Sequence, residues 1–318
     1  MSEAATIPST LEAGRFAAVY GENFGGAEQL VRIGLERVRL PEERYRSHQM
    51  LGTLALASGH WNRGMSTLAT ARREAQLGEN ALHVEVAART KAVCAALSVF
   101  PATTAEIAAI RAELVALDAA AERPGATPPP TPQRRLLRRF EIALLDARSG
   151  AYGAALREAG ELERLTQPPN WGGTSGVLVR AIRATVAAHR GNASNVLTEL
   201  GPARADIPLQ YLSTVGFADV YSRWLRAEAL RQLGRDEEAL RWYIAAMQVT
   251  NDIAPLDLIL LAPSYLRRAE INERLGNREA AVEQYARYRA LWGNAEPATR
   301  APMLAVEQQL EKLRSDAP

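Results

Sequence analysis

Five glycines set the frame of this chain: Gly59, Gly150, Gly191, Gly234 and Gly276, each at the end of an apolar-periodic segment. Seven positions before them stand the small residues Gly52, Ala143, Ala184, Ala227 and Ala269. Five positions after them stand Gly64, Ala155, Val196, Ala239 and Ala281. Successive glycines lie 91, 41, 43 and 42 residues apart, and the 91 holds two periods plus a proline-rich insert. A period in the range of about 20–50 residues is the mark of a stacked array, in which each unit buries its apolar face only against its neighbours. The spacing therefore predicts a solenoid of helical hairpins, and leaves open what the solenoid binds.

Between the turns, apolar residues recur at i, i+3, i+4 and i+7, the helical period, and no alternating Val/Ile/Thr run of strand type occurs. The expected fold is all-α, with seven hairpins and a capping helix. Hairpin one is read as residues 9–20 and 26–38, hairpin two as 42–57 and 61–77, and hairpin three as 80–99 and 104–122. Thr103 and Glu106 have capping-box spacing at the start of the last of these helices. Five prolines between Arg123 and Pro132 cannot continue a helix, which predicts a linker over 123–132 between repeats in 1–122 and repeats in 133–318. Hairpins four to seven follow at 133–149 and 152–165, 175–189 and 193–200, 210–233 and 235–250, and 256–275 and 278–292. A last helix over about 298–313, with a polar face, is expected to cap the stack.

In a repeat array, the 318 residues count units rather than domains. A formal net charge of +2 points to no nucleic-acid surface and no acidic tail. Only Lys91 and Lys312 are lysines among the 38 basic residues, a bias that, with abundant Ala, fits a GC-rich bacterial source. Cys94, alone in an apolar run, reads as a small buried hydrophobe. Glu3, Glu12 and Arg15 interrupt the start, so no secretory signal is read there, and no apolar run approaches the roughly 18 residues of a membrane span. A cytoplasmic protein without a membrane partner is expected, or an extracytoplasmic one if the chain belongs to a longer, membrane-anchored protein.

The small residue at position eight of a unit, the turn at fifteen, the Ala at twenty and the aromatic at twenty-four resemble the tetratricopeptide repeat. Ala227, Gly234, Ala239 and Tyr243 carry the pattern in one unit, and Ala269, Gly276, Ala281 and Tyr285 in the next. The period of about 42 rather than 34, and the missing Trp at position four and Pro at thirty-two, resemble the long-helix variety in bacterial regulators, with HEAT-type repeats as the alternative. Residues 260–277, followed by Tyr285, Tyr288, Leu291, Trp292, Ala295, Glu296 and Pro297, are similar to the end of the repeat regions fused to bacterial serine/threonine kinases and winged-helix regulators. The resemblance implies a right-handed superhelix and a non-catalytic module for sensing or protein interaction. Its partner would be a protein or peptide, a kinase or transcription-regulator module among the candidates.

Kinase motifs are missing, and residues 21–26 lack the Gly-Lys-Ser/Thr ending of a phosphate loop. His48, His60, His83 and His189 stand in different units without a second ligand at helical spacing, so neither a metal nor a cofactor is expected. Residues 172–176 fail the spacing of a serine nucleophile elbow. Two binding candidates remain. Arg134, Arg135, Arg138 and Arg139 share one helical face, which reads as an ordinary solvated face or as a surface for an acidic partner or phosphates. The resemblance places the concave wall at Tyr221, Trp224, Glu228, Arg231 and Gln232 of the sixth hairpin and Leu266, Glu270, Glu273 and Arg274 of the seventh. Aromatics beside arginine suit a peptide hot spot, and packing between hairpins explains Tyr221 and Trp224 equally well. A small-molecule effector enclosed in the superhelix is the alternative to a protein partner.

Overall fold

A computed structural model describes residues 13–14, 17–18, 21–123, 131–164, 174–206, 216–247, 256–300 and 302–315. Among them there are fourteen helices and no strand. They are α1 (Phe24–Arg37), α2 (Pro41–Ala57), α3 (Trp61–Leu77), α4 (Ala81–Ala96), α5 (Thr104–Ala121), α6 (Pro132–Arg148) and α7 (Tyr152–Arg164), then α8 (Thr174–His189), α9 (Ala193–Leu200), α10 (Gly216–Gln232), α11 (Asp236–Ala246), α12 (Leu256–Arg274), α13 (Arg278–Trp292) and α14 (Met303–Ser315). Hairpins two to seven fall on the sequence-derived spans. Most of the first helix of hairpin one, and the centre of the proline-rich segment, lie outside the described residues.

All five marker glycines have positive φ, between 71° and 84°. The residue after each donates its N–H to the carbonyl five positions back: His60 to Ala55, Ala151 to Asp146, Asn192 to Ala187, Arg235 to Leu230 and Asn277 to Asn272, at 2.8–3.0 Å. This is the Schellman closure, which needs a left-handed residue that glycine alone adopts without a Cβ penalty. Thr103 and Glu106 form the reciprocal capping box of α5. Thr131 caps α6 and Pro132 takes its first turn, where the lost N–H costs nothing.

The small positions are where paired helices approach. Ala143, Ala184, Ala227, Ala269, Ala155, Ala239 and Ala281 are all fully buried. A Cβ on Gly52 would meet Leu68 side-chain carbons at 2.8 Å, and one on Gly64 would meet Leu56 at 2.5 Å. One apolar core runs from Leu56 to Leu310, with the buried Cys94 inside it. The first helices of successive units pack side by side, α4 on α6, α6 on α8, α8 on α10 and α10 on α12. Units on either side of the proline-rich segment are thus in direct contact through α4 and α6.

The array also closes on itself. Helix α12 packs on α2, with Leu258 joining Phe24, Val31, Leu51, Leu54 and Ala57 in a second apolar cluster. The Trp292 indole donates to the Ala57 carbonyl at 2.7 Å and lies against Gly59 and Phe100. The Glu296 carboxylate accepts from Asn62 and Arg63 N–H at 2.8 and 3.1 Å, capping the start of α3 and meeting its positive dipole end. Thr299 and the Glu296 N–H both donate to the Gly59 carbonyl, and Tyr265 donates to Glu22. Helix α14 covers α13 with Met303, Val306 and Leu310.

Candidate binding site

The expected concave wall is largely interior. Tyr221 and Trp224 are each 4% exposed. Trp224 meets the Tyr243 ring edge-on at 5.2 Å, and the Tyr221 hydroxyl pairs with Thr185, while burial pushes its phenol up to about 12. Leu266 is buried beside them in the same core. The charged members form a ladder across α10 and α12. Glu228 accepts from Arg231, from Arg267 and from the Tyr243 hydroxyl, and Arg267 also reaches Glu270 at 3.0 Å. Glu273 accepts from Tyr285 and Gln309, and Arg274 pairs with Asp236 at 2.6 Å. Gln232 is exposed. Tyr221, Trp224 and Leu266 are thus core, Glu228, Arg231 and Glu270 are joined through Arg267 in a matched ion-pair ladder, Glu273 and Arg274 pair separately with other helices, and Gln232 faces outward.

The arginine face of α6 is likewise turned inward. Arg138 is fully buried, held by Asp118 at 2.8 Å and Glu85 at 3.2 Å. Arg134 shares Glu85, Arg135 pairs with Glu122 at 3.3 Å, and Arg139 with Glu158 at 3.2 Å. Next to them Arg89 grips the buried Glu141 at 3.0 Å, and Arg111 grips Asp146. Neither a solvated face nor an open phosphate surface describes this helix: its cations bind hairpins three and four together across the proline-rich segment.

What stays open lies between hairpins five and six. A cavity of about 520 Å³ is lined by Val177 and Arg180 of α8, by Leu200 at the end of α9 and residues 202–204 after it, by Asp219, Ser222, Arg223 and Arg226 of α10, and by Trp242 of α11. Arg226 lies over the Trp242 ring, 5.0 Å from its centroid, and donates to the Gly201 carbonyl. Arg223 is buried and donates to the Ala245 carbonyl at 2.9 Å. Burial holds both guanidiniums below the ordinary arginine range, offset at Arg223 by Asp219. Arg180 is exposed, and among the described residues no carboxylate pairs with it or with Arg226. Two smaller recesses lie beside hairpin two and at the closure: one of about 340 Å³ is lined by Arg32 and Arg63, both paired with Glu28, and by Arg73, bonded to Thr70, and one of about 290 Å³ holds Arg267, paired with Glu228 and Glu270.

Arg223 and Arg226 stand at i and i+3 on α10, the one local sign of this site in the sequence; Arg180 and Trp242 reach it only through tertiary packing. Comparison of the sequence with protein-family models and with curated proteins finds no match. Among the described residues, no helix is long and apolar enough to cross a membrane.

Proposed function

We propose that this chain is a non-catalytic recognition module of a bacterial signalling or regulatory system, a tetratricopeptide-like array that senses a small-molecule effector in the seam between hairpins five and six. The observation that carries this reading is the roughly 520 Å³ cavity, within the range of small-ligand sites, with an apolar wall and a few convergent polar groups. The filled concave wall argues against an extended peptide as the primary ligand, because Tyr221 and Trp224, each 4% exposed, have no free face to offer it. The test is a thermal-shift screen of metabolites on the wild-type chain and on Ala203→Trp, in which a bulky ring on an exposed rim residue blocks the cavity. Ligands that raise the melting temperature of the first and not of the second support the site. A response shared by both places the ligand elsewhere.

A protein partner, such as a kinase or transcription-regulator module, is the second reading, favoured by exposed leucines at the edge of hairpins two and three. Leu40 and Leu77 are 63% and 72% exposed, and Pro41 reaches within 3.3 Å of where a Gly78 side chain would start, which brings their backbones together. Leu82 follows at the start of α4. Exposed apolar residues that converge in this way mark interaction surfaces. Loss of a captured partner on Leu40→Glu with Leu77→Glu, with Ala203→Trp still capturing it, supports this second reading.

A further inference from the structure

Taking the seam of hairpins five and six as the binding site, we infer that its ligand carries a compact dianion, a phosphate-type group, joined to an apolar body. Among the described residues, four guanidiniums, Arg180, Arg204, Arg223 and Arg226, line the cavity with a single carboxylate, Asp219, and Arg204 is matched outside it by Asp206 at 2.6 Å. With Arg204 matched by Asp206 and Arg223 beside Asp219, Arg180 and Arg226 are the two cations that no carboxylate among the described residues answers, and two charges are what a phosphate monoester carries near neutral pH. Planar guanidiniums recognise phosphate oxygens through paired N–H donors, which gives geometry as well as attraction.

The apolar part of the lining comes from Val177, Leu200, Pro202, Ala203 and Trp242. It suits a ring or short chain, so an inorganic ion alone would leave much of the cavity unfilled. Arg226 adds an energetic argument. It is half-buried, its N–H contact is a neutral carbonyl, and desolvation disfavours its charged form. An anion entering the cavity removes that penalty, so binding is coupled to relief of a cost that the empty site carries.

Phenyl phosphate has both halves of the inferred ligand, and the experiment compares it by calorimetry with benzoate, inorganic phosphate and benzyl alcohol on the full chain. The expected result is saturable one-to-one binding of phenyl phosphate, about tenfold or more tighter than the other three and weakened by added salt. Arg180→Gln removes an exposed cation with no carboxylate partner among the described residues. It is expected to weaken phenyl phosphate about three- to tenfold at an unchanged melting temperature. Arg226→Gln is expected to weaken it more, though it also removes the Trp242 stack.

Phenyl phosphate no tighter than benzyl alcohol, or Arg180→Gln binding like wild type, overturns the dianion. If benzyl alcohol or benzoate then still binds wild type and not Ala203→Trp, the seam remains a site and only its charge preference falls. Phenyl phosphate binding equally to Ala203→Trp overturns both. A phosphotyrosine pentapeptide about tenfold tighter than phenyl phosphate supports the anion and overturns a free small molecule as its source.

Discussion

Gly59 offers the sharpest test of the closed array, because four other glycines serve as its internal controls. Gly59, Gly150, Gly191, Gly234 and Gly276 share the same hairpin turn and nearly the same φ. Replacing any of them with Ala forces an L side chain into the left-handed region, at a cost of about 1–2 kcal/mol. At Gly150, Gly191, Gly234 and Gly276 the new Cβ meets nothing within 4 Å, so that backbone cost is the whole effect. At Gly59 the Cβ would lie 2.6 Å from the Ala295 Cβ and 3.1 Å from the Trp292 ring. Neither is the free end of a flexible chain, since Trp292 is tied to Ala57 and Glu296 to the start of α3. Overpacking of this kind adds about 1–3 kcal/mol. The expected loss for Gly59→Ala is therefore about 2–5 kcal/mol, read from urea unfolding followed by helical circular dichroism, against about 1–2 kcal/mol for each control. If Gly59→Ala falls within the spread of the other four, Trp292 and Ala295 do not rest on hairpin two and the closure is wrong.

Three further outcomes follow from the packing. Arg138→Ala should destabilise by about 2–5 kcal/mol, since it empties a fully buried site and takes from the buried Glu85 one of its two cations, leaving Arg134, and from the partly buried Asp118 its nearest one, whereas Arg139→Gln, on the same face but partly exposed, should stay within about 1 kcal/mol; equal effects would mean that Arg138 is solvated. Ala227→Leu and Ala269→Leu should each cost about 1–3 kcal/mol in the same unfolding assay, since both sites are fully buried between helices, and wild-type stability in either would misplace the helix register. His48, His60, His83 and His189 all have their pKa lowered from 6.5, chiefly by burial, so the folded state binds fewer protons than the unfolded state just below that pH. The stability they contribute is present above about pH 6.5 and is lost as pH falls through their folded values. The melting temperature should accordingly drop from pH 7 to pH 5, with a shallower drop in His189→Gln; a flat profile over that window, or a rise, would contradict neutral buried imidazoles.

The repeat was legible because its causes are local. A left-handed turn residue, a small residue where helices touch and a capping pair each follow from a few neighbouring positions, which is why the sequence alone locates Gly234, Ala227 and Thr103. The arginine face shows where that reasoning stops. Helical spacing puts Arg134 and Arg138 on one side of α6, but the residue that answers both, Glu85, is 49 and 53 positions away, and no periodicity reports it. Tyr221 and Trp224 follow the same logic. Their register on the first helix of the unit was readable, and whether that face is open depends on how far the superhelix has curved, a sum over interfaces that no single unit encodes. The cavity residues Arg180, Arg226 and Trp242 come from three helices and have no common spacing at all.

Closure changes what the inner wall can do. In an open array the first helix of each unit presents a concave surface, and its aromatic and charged residues are available to a ligand. Once hairpin seven docks on hairpin two, the units share a continuous interior, and the same positions become core or internal ion pairs, as Trp224 and Glu228 have. On the proposed function, recognition then moves to the joints between units, where imperfect filling leaves space. The joint of hairpins five and six is such a place, because the segment after the short α9 and the first helix of the next unit leave a cavity between them. A ligand there touches α8, α10 and α11 together, so it acts on the angle between two neighbouring units. In a nearest-neighbour array that angle propagates to every later unit, and the contact between Trp292 and Gly59 lies downstream of it. If the proposed function holds, a ligand in this cavity is thus also placed to bias the closure of the whole array.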